Sequence, residues 1–278
     1  MSTQYWELLD DLEAEGDSLV EVLGGLDEPA WKRPTPAAGW DVADQVGHLA
    51  FFDDRATLSI TDASGFRADT QKLMESTPAG AADFADHLAE TLRGRPTGEV
   101  LRDFTRARRA MLEAMRTAEP KARVPWYGPD MSVMSSATAR LMETWAHGVD
   151  IREGVGAHLQ ATSRLRNVAH LGHRTLGFSF AVHGKDVPDR PVRVELTAPG
   201  GAGAESGDLW EFGPDDAADR VSGPALDFCL VVTQRRNLAD TSLKVEGPVA
   251  MEWMSEAQAF AGPPSAGRPP LKSKKPRR

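Results

Sequence analysis

Apolar positions in the first half of the chain recur at three- and four-residue steps among acidic and polar residues. From Tyr5 to Leu23 the stripe is Leu8, Leu9, Leu12, Leu19, Val20 and Leu23, which predicts an amphipathic helix ended by Gly24 and Gly25. In GWDVADQVGHLAFFDDRATLSI, Asp41 is a candidate N-cap, and Val42, Val46, Leu49, Ala50 and Asp53 continue a second helical face. A third helix is predicted from Gly98 to Ala118 on Val100, Leu101, Phe104, Met111, Leu112 and Met115, closed by Glu119 and Pro120. A fourth starts at a Ser135/Ser136 cap signal and runs to Gly154. Four long helices with intervening loops predict an up-and-down bundle.

The period then changes. Residues 163–183 still read as a helix, but PVRVELTAPGG alternates Val192, Val194 and Leu196 with polar partners. LWEFG, DRVSG and SLKVEG read as short strands bounded by Gly, Pro and Asp. The run ALDFCLVVTQRRN fits a buried helix or a strand, and a helix is favoured because the next strand signal follows it directly. The expected organisation is therefore α+β: a helix bundle over residues 1–157, a small α+β domain over 158–262, and a disordered basic, Pro-rich tail over 263–278.

Composition sharpens this picture. The chain of 278 residues is 41% hydrophobic and 26% charged, with a net charge of −9, as expected of a folded soluble protein. Six bases follow residue 262 with no acid among them, so the preceding chain carries −15. Such an acidic body repels phosphate backbones, and nucleic acid is not an expected partner. The opening MSTQYWELLDDLEAE is acidic where a signal peptide needs a basic flank, and no run approaches the roughly 18 apolar residues of a membrane span. The expectation is a cytoplasmic protein without a membrane partner. A lone Cys229 in an apolar run excludes a disulfide scaffold and a Cys-rich zinc finger, and reads as a buried, inert thiol.

The most informative local pattern is Glu143-Thr-Trp-Ala-His147, whose spacing puts a carboxylate and an imidazole one turn apart on one helical face. His48 stands in the otherwise apolar face of the second helix and can supply a third ligand across a bundle core. Two His and one Glu form an open catalytic set for zinc, and equally a facial triad for non-haem iron. A solvated Glu/His pair and a satisfied core histidine are the bland alternatives. Asp150 could orient the His147 ring. His170, His173 and His183 are a weaker candidate for a second site. The glycine-rich run at residues 200–207 misses the dinucleotide fingerprint and is read as a loop. No G-x-S-x-G, P-loop or H-E-x-x-H motif is present.

Three segments carry a resemblance: GWDVADQVGHLAFFD with His48, MSSATARLMETWAHGVDIREGVG with Glu143 and His147, and GPALDFCLVVTQRRN. Together they resemble the mycothiol-dependent maleylpyruvate isomerase family over most of residues 1–262, and RVPWYGPDMS, HLGHRTLGFSFAVHG and EAQAFAG mark an uncharacterised branch of it. The resemblance implies a DinB-like four-helix bundle followed by a small, sterol-carrier-like α+β domain. It implies zinc on His48, Glu143 and His147, with Fe2+ or Ni2+ as other metals such donors accept, and mycothiol as the thiol cofactor. It also implies a catalytic arginine at Arg235, with Arg236 adjacent. Trp126, Tyr127 and Met131 either line the mouth of the metal site or form a packed turn.

The implied function is a zinc-dependent enzyme that activates mycothiol for isomerisation of, or transfer to, a small electrophilic substrate. The alternatives are a non-catalytic metal-binding module and a zinc-dependent hydrolase.

Overall fold

The apolar stripes fold as four long helices that pack on one another and carry the site between them. The computed structural model describes residues 3–76, 84–200 and 207–271 and divides into two units, Met1–Leu159 and Gln160–Arg278. The first holds α1 (Thr3–Gly24), a single turn α2 (Glu28–Trp31), α3 (Val42–Thr61), α4 (Ala63–Ser76), α5 (Phe84–Leu92) and α6 (Thr97–Thr117). A two-stranded hairpin, β1 (Arg123–Val124) with β2 (Met131–Ser132), then leads into α7 (Val133–Val155).

Helices α1 and α3 each pack on both α6 and α7, which closes the four into a bundle. Its apolar centre includes Leu19, Leu23, Val42, Val46, Leu49, Val100, Phe104 and Ile151, all nearly inaccessible to water. Asp41 caps α3 as expected: its carboxylate accepts from the Asp44 amide at 2.8 Å, and the Asp44 side chain returns the bond in a capping box. Helix α7 starts earlier than the Ser135/Ser136 signal suggests. Ser132 is the cap, accepting from the Ser135 amide at 3.0 Å.

A buried ion cluster crosses the bundle. Asp53 of α3, with no exposed surface, lies 2.9 Å from the Arg140 Nε of α7 and 2.9 Å from the Arg108 Nε of α6. Arg108 also donates to the Thr144 hydroxyl at 2.6 Å, which in turn donates to the Arg140 carbonyl at 2.7 Å. Buried Glu15 of α1 adds a carboxylate charge that acts on Arg108. Two cations and two carboxylates from four helices thus offset one another in the bundle interior.

The second unit holds α8 (Leu165–Arg174), α9 (Leu176–Val182), β3 (Val192–Thr197), β4 (Leu209–Phe212), β5 (Asp219–Pro224), α10 (Ala225–Val232), β6 (Lys244–Glu246) and α11 (Pro248–Glu256). The sheet order is β4-β3-β5-β6, with β3 and β5 parallel and the outer pairs antiparallel. The ambiguous apolar run is a helix, α10. It packs so closely on α8 that a Cβ at Gly172 would meet Val232 Cγ2 at 2.7 Å. Cys229 lies on this helix, fully buried, and burial pushes its thiol well above the ordinary value, away from the reactive thiolate.

Three features depart from the sequence expectation. The helix expected over 163–183 breaks at Thr175 (φ −94°, ψ 11°), whose hydroxyl donates to the Leu171 and Gly172 carbonyls at 3.0 Å each. Helices α4 and α5 fill the stretch between the second and third expected helices, where no element was expected. Residues 263–271, part of the tail expected to be disordered, are irregular but tethered: Gln234 Nε2 donates to the Ser265 carbonyl, Asn237 Nδ2 to the Arg268 carbonyl, and the Leu271 amide to Asp240. Most of the glycine-rich run at 200–207, and the last seven residues of the tail, lie outside the described residues.

Replacing Asp53 leaves two arginines buried without their shared carboxylate. Asp53→Ala is expected to lower the free energy of unfolding by about 3–5 kcal/mol, measured by denaturant titration. Asp54→Ala, which removes the exposed Arg106–Asp54 pair, is expected to cost no more than about 1 kcal/mol. Equal losses for the two variants would contradict a central role for the cluster.

Candidate metal centre

Helix α3 supplies His48, and helix α7 supplies Glu143 and His147. Glu143 Oε2 lies 3.2 Å from His147 Nε2 and 3.9 Å from His48 Nε2. One donor atom from each residue falls within 4.8 Å of the other two. Among the described residues this is the one cluster of His, Cys, Asp or Glu that brings three such atoms together. Bonds of about 2.0–2.1 Å in a tetrahedral ion place ligand atoms about 3.4 Å apart, so the three donors suit one ion with small side-chain movements. The donor set itself, two imidazoles and a carboxylate, is that of an open zinc site.

The pairing along the two helices explains why these residues meet. Asp53 contacts Arg140, His48 faces Glu143, and Gln45 contacts His147. Numbers fall along α3 as they rise along α7, so the helices run antiparallel, and the buried Asp53–Arg140 pair sets their register just beyond the candidate ligands.

The electrostatics favour a charged carboxylate. Partial burial alone would raise the Glu143 carboxyl, but the hydrogen bond and charge of His147, with His48 and Arg140 behind, lower it to about 2. Aromatic rings close in from one side. Phe52 lies 4.6 Å from the His48 ring, and Trp40 lies nearly parallel to His147 at 6.0 Å.

The hairpin residues join that wall. Phe52 lies 5.6 Å from Tyr127 and 6.2 Å from Trp126, and buried Phe66 stacks on Trp126 at 5.8 Å. The Ser59 hydroxyl fixes the hairpin to α3 through the Pro125 carbonyl at 2.6 Å. Burial pushes the Tyr127 phenol up to about 12. Met131 is half-buried on β2.

Two sequence readings are corrected. The Nδ1 of His147 faces the Gln45 amide oxygen, so Gln45, not Asp150, orients this ring; Asp150 is buried on the same helix. Gln45 continues to Thr35, and Thr35 to the Trp40 carbonyl. None of these three was singled out from the sequence. The one available signal was Gln45 standing three residues before His48 in an apolar face. The second histidine group does not converge on an ion: His173 bonds the Val192 carbonyl at 3.3 Å, and His183 bonds the Ser179 carbonyl at 2.8 Å.

Arg235 belongs to the second unit. It follows Gln234, whose φ of 60° turns the chain after α10. Its guanidinium donates to the Thr233 carbonyl at 2.7 Å and lies 5.8 Å over the Phe260 ring. Arg236 lines a separate cavity of about 340 Å³ with Gln234, Asn237 and Glu256.

Comparison with known proteins places these features in a family. Residues 12–152 match the sequence model described as the mycothiol maleylpyruvate isomerase N-terminal domain. Residues 188–243 match a second one, described as wyosine base formation. The chain is 43% identical over 258 residues to uncharacterized proteins Rv0036c and MT0041 of two Mycobacterium tuberculosis strains, covering 93% of this chain and 96% of each relative. Its fold is similar to crystal structures of the mycothiol-dependent maleylpyruvate isomerase and of a histidine-to-alanine mutant of that enzyme. The TM-scores are 0.56 and 0.58 at 15% identity, covering 90% of this chain and 99% of each of those.

A carboxyl lowered in the folded state stabilises the fold above its ordinary value, and that contribution is lost as the pH falls toward the lowered one. The metal-free protein is therefore expected to lose stability on acidification below pH 4.5 more steeply than Glu143→Gln, because the Glu143 carboxyl titrates between 4.5 and about 2. Denaturant midpoints measured across that range test this. Parallel curves for the two proteins would contradict it.

Proposed function

The chain belongs to the mycothiol maleylpyruvate isomerase N-terminal domain family, and on that premise we propose that it is a metal-dependent enzyme using a low-molecular-weight thiol to isomerise, or add to, a small electrophilic substrate. The observation that carries this reading is the convergence of His48, Glu143 and His147 on a volume that suits one divalent cation. In this reading zinc is the resident ion and mycothiol the thiol. Fe2+ and Ni2+ suit the same donors.

His48 and His147 would hold the ion through their Nε2 atoms and Glu143 through Oε2, a three-residue donor set that would leave room for a thiol. The bound cation would supply a thiol deprotonated near neutral pH, the nucleophile that reversible addition to an activated double bond needs. The ionised Glu143 contributes one negative charge to the ion. Phe52 and Trp40 pack against the two imidazoles and exclude water from their flanks. Trp126 and Tyr127 pack on Phe52 and Phe66 and in this reading brace the aromatic wall beside His48.

Arg235 is the catalytic residue of the second unit in this proposal. Its fork of donors suits a substrate carboxylate or the enolate charge that develops beside it. The wyosine-base-formation match falls wholly within the second unit and includes none of the three ligands. No helix among the described residues is long and apolar enough to cross a membrane, and a cytoplasmic enzyme fits this reading.

Elemental analysis of protein purified without added metal or an affinity tag is expected to give about one zinc per chain. His48→Ala and His147→Ala are expected to lose it while keeping the far-ultraviolet helical signal. Full metal in both variants would overturn the ligand assignment. Cobalt-substituted protein should change its visible spectrum on addition of a thiol and then consume an electrophilic unsaturated acid. Consumption without thiol would favour a hydrolase, and a spectrum indifferent to thiol would favour a metal-binding module.

A further inference from the structure

We propose that Gln45 is a positioning residue that holds His147 with its proton on Nδ1, and that Thr35 and the Trp40 carbonyl set the orientation of Gln45 from outside the bundle. This inference rests on His147 being a metal ligand. It concerns how strongly, and in which protonation form, that ligand is presented.

The argument follows the protons. The Thr35 hydroxyl donates its single proton to the Trp40 carbonyl at 2.9 Å. Its oxygen is then an acceptor toward Gln45, whose Nε2 donates to it at 2.9 Å. The amide is thereby fixed with nitrogen toward Thr35 and oxygen toward His147. The Gln45 oxygen can only accept, so the His147 Nδ1 that contacts it carries the proton. Nε2 then faces Glu143 at 3.2 Å and donates to it in the metal-free protein, and a metal ion would take the place of that proton on the same side of the ring. A hydrogen bond from the distal ring nitrogen fixes both the tautomer and the plane of a ligating imidazole.

The chain ends in a braced loop. Thr35 also donates its own amide to the Trp40 carbonyl at 2.8 Å, and Pro34 bridges to Asp41 at the start of α3. The loop lies against α7 at Gly154, where an added Cβ would meet the Pro34 carbonyl at 3.0 Å and Thr35 Cα at 3.4 Å. Only a residue without a side chain lets Thr35 approach without moving the loop. The same loop carries Trp40, whose ring lies nearly parallel to His147 and whose Nε1 donates to Asp86 of α5 at 2.6 Å. One short segment therefore fixes the His147 ring by an edge contact through Gln45 and by a face contact through Trp40. Gln45 itself is fully buried, so its amide has no water to turn toward.

The test is zinc affinity by competition with a chromogenic chelator, alongside nitrogen-15 NMR of histidine-labelled protein. Gln45→Leu is expected to weaken zinc about 10–100-fold, and Gln45→Glu, which keeps the acceptor, to bind at least as tightly as wild type. Thr35→Val, remote from the ion and half-exposed, is expected to weaken zinc in the same direction and stands in if Gln45→Leu does not fold. The His147 Nδ1 proton is expected in both metal-free and zinc-loaded wild type. Wild-type affinity in a folded Gln45→Leu or Thr35→Val, or a His147 Nδ1 without a proton, overturns the inference. Wild-type protein that binds no zinc overturns the metal-centre reading instead, and the proton position in the metal-free protein still decides the role of Gln45.

Discussion

Two arginines buried among four helices, Arg108 and Arg140, share the carboxylate of Asp53, and the geometry of the site depends on that sharing. An ion pair in a dry interior tolerates little displacement, because separating the charges leaves each without water or partner. The Asp53–Arg140 contact therefore fixes how far α3 can slide along α7. His48 lies five residues before Asp53, and Glu143 three residues after Arg140. With the helices antiparallel, that register brings the two to the same level and His147 one turn further on. A purely apolar seam would bury similar area at neighbouring registers, whereas the cluster distinguishes between them.

Around this register the site is assembled in layers of different chemistry. The innermost is the carboxylate and its two imidazoles, with the Glu143 carboxyl lowered to about 2 by its neighbours despite partial burial. Outside it are the ring faces of Trp40 and Phe52, and beyond Phe52 the hairpin aromatics Trp126 and Tyr127. Gln45 of α3 and Thr35 of the loop before it form a second polar layer. The bundle thus supplies the donors, with Phe52 and Gln45 beside them, and segments between its helices add Trp40, Thr35 and the hairpin aromatics. The second unit contributes a sheet-and-helix core around Phe228 and Trp253, whose rings meet edge to face at 5.8 Å, with Arg235 on the turn that follows α10.

Much of this was legible in the chain, and the limits have physical causes. The four long helices announced themselves because each buries one face, and a buried face imposes a period of three and four residues. Glu143 and His147 could be paired because a helix places residues four apart on one side whatever surrounds it. Helices α4 and α5 were missed because α4 is mostly polar and α5 spans only nine residues, and the break at Thr175 was missed because a hydroxyl bonding back to two carbonyls leaves no trace in hydrophobicity. The residues after 262 were read as solvated from their composition, yet their backbone carbonyls, which any sequence would offer, accept at Ser265 and Arg268 from the side-chain amides of Gln234 and Asn237.

The sequence by itself determined the helical bundle, the change to an α+β second half, the family, and the pairing of Glu143 with His147, because these follow from local periodicity and from motifs contiguous in the chain. Tertiary structure alone decided that His48 faces that pair, that Gln45 rather than Asp150 holds the His147 ring, and that Asp53 sits between two arginines. Gln45 and His147 are 102 residues apart, and Asp53 and Arg140 are separated by 87. Contacts between side chains on different helices depend on helix register, which packing and buried charge set jointly and no local pattern encodes.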